Sequence, residues 1–331
     1  ACEQPPARIR YLFGRAEQQN RAALEPFGYY HREIASRLEF LEAACWLATF
    51  DVNPGSRVTI ARVDVGVTGE GSALPALRDI LASSDIVEGG PLDHPVYDAL
   101  KLRLSVTARE FGYMEARFVK SELIIRPDVG TADVELVLDT GPRYSFGSLK
   151  IETATLDPDL IRRYLEFAEG QPFEQRALRK LQADLNRGEY FSDIRITTTR
   201  RENRTIDVLV RLTEGRRTRY GIGLGYGTDT GPVLRGDWVN RWVNRRGHRL
   251  EFDAELAEVL GSVSFDYRIP SRRPHRDWYS IFGGYSWRNT DAIESKTRKV
   301  GVSEVRFHST SWRSNRFLEY SIEDFREDGQ W

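Results

Sequence analysis

Sulfur is scarce in this 331-residue chain, which has two cysteines, Cys2 and Cys45, and one methionine. Two cysteines exclude a disulfide framework and a structural zinc site. They leave open one disulfide in an oxidising compartment or two unrelated thiols. Long apolar runs are missing too. The longest, Ala43 to Ala48, falls far short of the roughly 20 residues that span a bilayer as a helix. A helical membrane protein is therefore excluded, whereas a membrane β-barrel, whose strands carry only a weak alternating signal, is not. Nor does either charge dominate, with 48 Lys plus Arg against 49 Asp plus Glu. That balance excludes a polycationic nucleic-acid binder and an acidic disordered tail. A hydrophobic content of 40% excludes general disorder. The chain opens Ala1-Cys2-Glu3-Gln4 with neither Met nor leader pattern, and Gly329-Gln330-Trp331 follows a strand-like run directly. It is expected to be a piece of a longer protein.

Catalytic chemistry is equally sparse. The five histidines, His31, His94, His248, His275 and His308, lie scattered among turns and strand ends without metal-ligand spacing. The glycines of 221 to 227 stand at every second residue and open no helix, so neither the dinucleotide-binding nor the P-loop spacing is met. No Gly-x-Ser-x-Gly elbow occurs. The acidic row Glu251, Asp253 and Glu255 has the spacing of residues that share one strand face. No catalytic residue, cofactor or metal is expected.

What is present is repetition. Phe27-Gly28-Tyr29-Tyr30 returns as Phe111-Gly112-Tyr113-Met114 and, more loosely, as Arg187-Gly188-Glu189-Tyr190-Phe191. Each copy runs through two alternating stretches to a second glycine turn, at Gly55, Gly141 and Gly215. The glycine-to-glycine intervals are 27, 29 and 27 residues. Thr131 to Leu138 and Thr205 to Leu212 stand 74 residues apart and are both apolar at alternate positions, the period of a strand with one buried face. Ahead of the turns the period is helical: Tyr97, Leu100, Leu104, Ala108 and Phe111, then Leu178, Leu181 and Leu185. Asp157-Pro158 reads as an N-cap with proline at the first helical position. Each unit is thus strand, helix, helix, strand, strand, an α+β core of three strands under two helices. The first unit lacks its opening strand, since Ile9, Leu12, Phe13 and Ala16 already lie in a helix.

After Arg219 the helical period ends. Tyr220, Ile222, Leu224 and Tyr226 alternate with Gly221, Gly223, Gly225 and Gly227. Leu250 to Leu256 and Val263 to Ile269 alternate with charged or small residues, as do later segments through Ile322. Seven strands are expected, with aromatics (Tyr220, Tyr226, Trp238, Trp242, Trp278, Trp287) near their ends. Apolar-out, polar-in segments near ten residues long with aromatic rims fit a membrane barrel. A soluble β-sandwich also alternates, but its strands are shorter and its inner face carries less charge. Val300 and Val302 fall out of phase with Val305 and Phe307, which predicts a bulge or a shifted boundary. The basic clusters Arg245-Arg246-Gly247-His248-Arg249 and Arg272-Arg273-Pro274-His275-Arg276 fall between strands. There they would end the apolar band or meet anionic lipid head groups.

Strand-helix-helix-strand-strand units ending in Gly-Tyr and Pro-Gly-type turns resemble POTRA domains. The passage from Glu214-Gly215 and Arg217 into Gly225-Tyr226-Gly227-Thr228-Asp229-Thr230-Gly231-Pro232 resembles the outer-membrane assembly-factor superfamily. Trp238-Val239-Asn240-Arg241-Trp242-Val243-Asn244-Arg245-Arg246-Gly247-His248 and Tyr267-Arg268-Ile269-Pro270 look closest to the outer-membrane subunit of the translocation and assembly module. The resemblance implies an incomplete first POTRA domain at 1–56, a second at 57–142, a third at 143–217, and the first seven strands of a barrel at 218–331. It implies an outer-membrane location with periplasmic POTRA domains and a role in inserting outer-membrane proteins, autotransporters especially. The implied partners are an inner-membrane-anchored protein, unfolded substrates and outer-membrane lipid. General barrel-assembly factors, two-partner secretion pores and POTRA-barrel proteins with a phospholipase domain share the plan. The residue-level expectation is that Gly221, Gly223, Gly225 and Gly227 weaken strand one so that an incoming strand can add there. The alternative is that these glycines make room for a packed lumen or sharpen curvature.

Overall fold

The computed structural model describes residues 4–41, 45–290, 293–309 and 311–327. It falls into two compact units, the first ending at Tyr144 and including 172–175, the second holding 145–171 and everything from 176 on.

The first unit begins with α1 (Pro6–Leu24) and the antiparallel pair β1 (Glu33–Leu41) and β2 (Cys45–Asn53). Phe13 of α1 stacks on Phe50 of β2 with ring centroids 5.2 Å apart. Cys45 is disulfide-bonded; the only other cysteine of the sequence, Cys2, lies outside the described residues. A complete module follows: β3 (Thr59–Thr68), α2 (Pro75–Ala82), α3 (His94–Glu110), β4 (Arg117–Arg126) and β5 (Thr131–Asp139). The sheet order is β3-β5-β4, with the central strand parallel to β3 and antiparallel to β4. Helix α3 starts where Asp93 accepts a hydrogen bond from the Val96 N–H. Its Tyr97, Leu100, Leu104 and Ala108 are buried, and so are Ala132, Val134, Leu136 and Leu138 on the facing side of β5. The two periods read in the sequence meet in this core.

The second unit repeats the module as β6 (Ser145–Glu152), α4 (Pro158–Arg162), α5 (Gln175–Arg187), β7 (Phe191–Arg200) and β8 (Thr205–Glu214), with sheet order β6-β8-β7. The Asp157 carboxylate caps α4 by accepting from the Asp159 N–H. Burial works to raise the pKa of Glu214, but its Oε1 accepts from the Ala154, Thr155 and Leu156 N–H groups and the Thr153 hydroxyl. The balance holds the carboxyl below its ordinary range. The loop ahead of α4 is thereby tied to the end of β8.

Seven consecutive antiparallel strands complete the unit: β9 (Thr218–Gly227), β10 (Gly231–Asn240), β11 (Arg249–Ala257), β12 (Leu260–Pro270), β13 (Trp278–Asn289), β14 (Ile293–Phe307) and β15 (Arg313–Glu327). One face carries an apolar band, along which Trp238, Phe252 and Phe265 pack in a row at centroid distances of 5.6 and 6.2 Å. The opposite face carries ion pairs, Arg235–Glu255 and Arg268–Glu251 among them. This is the apolar-out, polar-in pattern of a barrel wall. The expected irregularity near Val300 is absent. β14 pairs with both neighbours without a register shift. Val300 and Val302 are exposed on the apolar band, while Val305 is buried on the other face opposite Trp278. The change of phase reflects a second apolar cluster at the strand end, not a bulge.

Candidate functional site

Strand β9 forms one edge of the sheet. It pairs residue for residue with β10, from Thr218 opposite Asn240 to Gly227 opposite Gly231, and with no other strand among the described residues. Tyr220, Ile222, Leu224 and Tyr226 are 78–86% exposed. The strand that pairs with the outer side of β9 is not among the described residues. The four glycines of β9 do not share one role. A Cβ on Gly221 would stand 2.3 Å from Oδ1 of Asp237, and one on Gly227 2.4 Å from Oγ1 of Thr230, so both make room. A Cβ on Gly223 or Gly225 would meet nothing nearer than Arg235 Cβ at 3.8 Å or Val233 Cβ at 4.0 Å. Space does not require glycine at those two positions, and what it costs there is packing and backbone order.

The root of β9 is held by the module before it. Arg217 donates to the Trp242 and Val243 carbonyls at 2.9 and 2.7 Å, and Arg241 donates to the Arg216 carbonyl at 2.9 Å. From the module, the Asp157 N–H donates to the Arg245 carbonyl at 2.9 Å and the Tyr190 hydroxyl to the Gly247 carbonyl at 2.7 Å. Arg163 donates to the Pro270 and Ser271 carbonyls at 3.1 and 2.9 Å. These acceptors are main-chain atoms of the β10–β11 and β12–β13 turns, so the grip depends on turn conformation more than on turn side chains. Gly247 has φ +76°, and a Cβ there would stand 2.6 Å from Leu160 Cδ2. Burial pushes the Tyr190 phenol up to about 12, which keeps it a donor at neutral pH.

The turn glycines of the sequence divide. Gly28, Gly55, Gly112 and Gly141 are left-handed, with φ of +83°, +70°, +91° and +62°. At Gly28 and Gly112 the approach is also close, since a Cβ would lie 2.7 Å from the Leu92 and Phe173 carbonyl oxygens. Gly188 and Gly215 are not left-handed. In the third module that conformation belongs to Glu189, at φ +57°. The hydrogen-bond pattern agrees: Gly28 N–H donates to Glu25 O, Gly112 N–H to Arg109 O, and Glu189 N–H to Asn186 O. Aligning the copies on Tyr29, Tyr113 and Tyr190 instead of on glycine would have put Glu189 in the glycine column. A non-glycine residue there is held by a contact: Glu189 Oε2 accepts from Arg249 Nη1 at 2.8 Å.

Among the described residues no group of three or more His, Cys, Asp or Glu is placed to hold a metal, and no helix is long and apolar enough to cross a membrane, which says nothing of a barrel.

Residues 1–54 match the family model of POTRA domain TamA domain 1, and residues 144–215 match POTRA, the surface antigen variable number repeat. BamA from Haemophilus ducreyi lacking POTRA domains 1–3 superposes with TM-score 0.66 at 14% identity, over 81% of this chain and 52% of that one. CdiB from Acinetobacter baumannii aligns over 97% of this chain and 63% of that one, at 11% identity and TM-score 0.49. The chain thus spans about half the length of the BamA structure it matches. POTRA modules followed by a large antiparallel sheet are the fold that this chain shares with that BamA structure.

Proposed function

We propose that this chain is the POTRA arm and opening barrel strands of a TamA-like factor that helps insert outer-membrane proteins, autotransporters especially, with no enzymatic step of its own. Three POTRA modules, at 1–56, 57–142 and 143–217, reach from the membrane toward an inner-membrane-anchored TamB-like partner. Unfolded outer-membrane protein is the cargo. The TamA-type match of the first module favours this reading over a general barrel-assembly factor or a two-partner secretion pore. Gly221, Gly223, Gly225 and Gly227 lie on the seam strand, where a substrate strand adds by backbone pairing. The observation that carries the reading is β9 itself. It begins the sheet with glycine at two positions that have room for side chains, and it is rooted on the third module by main-chain hydrogen bonds.

Gly223→Val with Gly225→Val is the test, read in the full-length protein. Both side chains fit, and both add cross-strand packing against Arg235 and Val233. Assembly of an autotransporter should slow while the barrel stays folded and heat-modifiable. Unchanged assembly by a folded double variant would contradict a gating role for β9.

A further inference from the structure

In the first two modules the left-handed turn receives the strand of the next module. The Val58 N–H donates to the Gly28 carbonyl at 2.8 Å, and the Tyr144 N–H to the Gly112 carbonyl at 2.9 Å. The two arriving side chains are apolar or aromatic and 0% and 2% exposed. The third turn is built alike, but the chain that should arrive is diverted. At the matching distance from the turn, Arg219 to Gly221 already lie in β9, paired with Val239 to Asp237 of β10. Among the described residues no protein group donates to the Glu189 carbonyl. Beside the turn lies a cavity of about 330 Å³, whose lining joins Arg187, Gly188, Glu189 and Tyr190 to sheet residues including Arg268 and Trp278. Its volume stands at the low end of the roughly 300–1,000 Å³ typical of ligand pockets.

The charge of the lining selects the class of occupant. Arg187 is paired with Asp184, Arg249 with Glu189 and Glu251, and Arg268 with Glu251 and Asp266. Every guanidinium of the wall is already neutralised, so a free anion gains little there. Arg268 also lies over the Trp278 ring, 5.6 Å from its centroid. What remains on the lining is the Glu189 carbonyl and the apolar surface of Pro270, Pro274 and Trp278.

We propose that this cavity is a socket for an extended polypeptide segment in transit, which gives a backbone N–H to the Glu189 carbonyl and an apolar side chain to the lining made by Pro270, Pro274 and Trp278. The socket repeats, for a visiting chain, the joint that Val58 and Tyr144 make covalently within the arm. It rests on the reading of β9 as the strand acceptor and adds a waiting point ahead of it, at the foot of the sheet.

The test places a photo-crosslinking residue at Arg187 and, separately, at Pro274, both on the cavity wall, in the full-length protein in membranes assembling a radiolabelled autotransporter barrel. Ile222 on β9 is probed in parallel, and Arg195, 66% exposed on β7 and outside the cavity, serves as control. The expected result is a substrate-sized shift of the crosslinked band at 187 and 274 and none at 195. Crosslinks at Ile222 without any at 187 or 274 overturn the socket and leave the strand acceptor standing. Crosslinks at 187 and 274 only to lipid or to another part of the same chain also overturn it. Silence at all three positions contradicts both readings.

Discussion

Asp184 of helix α5 and His275 of the β12–β13 turn lie with Oδ2 and Nε2 3.4 Å apart, their side chains 1% and 3% exposed. The imidazole stacks on Tyr164 at a centroid distance of 5.4 Å. A turn of the strand sheet thus inserts a titratable ring between α5 and the segment that follows α4 in the third module. Burial pushes His275 below its ordinary value, with Arg276, Lys180 and Arg187 acting in the same direction and Asp184 opposing them. The sign follows from proton uptake. As pH falls the unfolded chain binds the His275 proton first, so the contribution of this contact is full above about pH 6.5 and is lost as pH drops toward the lowered folded value. Protection factors for hydrogen exchange of residues 271–277 in the solubilised full-length protein, with the intrinsic pH dependence of exchange divided out, should fall between pH 7.5 and pH 5.5. His275→Gln should remove most of that dependence.

The grip on the β10–β11 turn rests on one hydroxyl and one missing Cβ. Tyr190→Phe leaves the buried Gly247 carbonyl without its donor and should cost about 1–3 kcal/mol. Gly247→Ala forces a left-handed residue, at about 1–2 kcal/mol, and adds the collision with Leu160. Each variant should lower the thermal midpoint of the second unit, read by near-ultraviolet circular dichroism. Arg195→Ala on β7, where the side chain is 66% exposed, should not.

The left-handed turns are expected to respond unequally. Gly112→Ala meets both an unfavourable φ and the Phe173 carbonyl, so it should destabilise by at least about 1–2 kcal/mol. Glu189→Gly relieves the same conformation in the third module but severs the tie to Arg249. Its midpoint should change little, while limited proteolysis between the module and β9 should become faster. Urea denaturation and a protease time course separate the two effects.

Orientation is testable independently. The turn 244–247 sits at the end of the sheet gripped by the third module, and the Thr228–Thr230 turn at the opposite end. A cysteine at Asp229 should be modified by a membrane-impermeant maleimide on intact cells, and one at Arg246 should be spared.

Much of this was readable before any coordinates. Period-two and period-3.6 spacing marked β5, β8, α3 and α5, because each buries one face and alternation records that burial directly. The seven strands were countable for the same reason. The untidy phase at Val305 was not interpretable, because its burial comes from Trp278 on the neighbouring strand, a relation that one strand's pattern does not contain. The third left-handed turn was missed because a glycine adjacent to the position, Gly188, stood in for a glutamate held by a partner 60 residues away. The grip at the root of β9 was invisible for a plainer reason. Its acceptors are backbone carbonyls, which every sequence has.

The central claim is that the open edge of β9 takes an incoming strand. Single cysteines along β9, at Ile222, Gly223 and Leu224, paired with cysteines along the terminal strand of an autotransporter barrel, test it by disulfide formation during assembly in membranes. The expected result is crosslinking in one continuous register, the partner position moving by one residue for each step along β9. Normal assembly with no crosslink at any β9 position would contradict it.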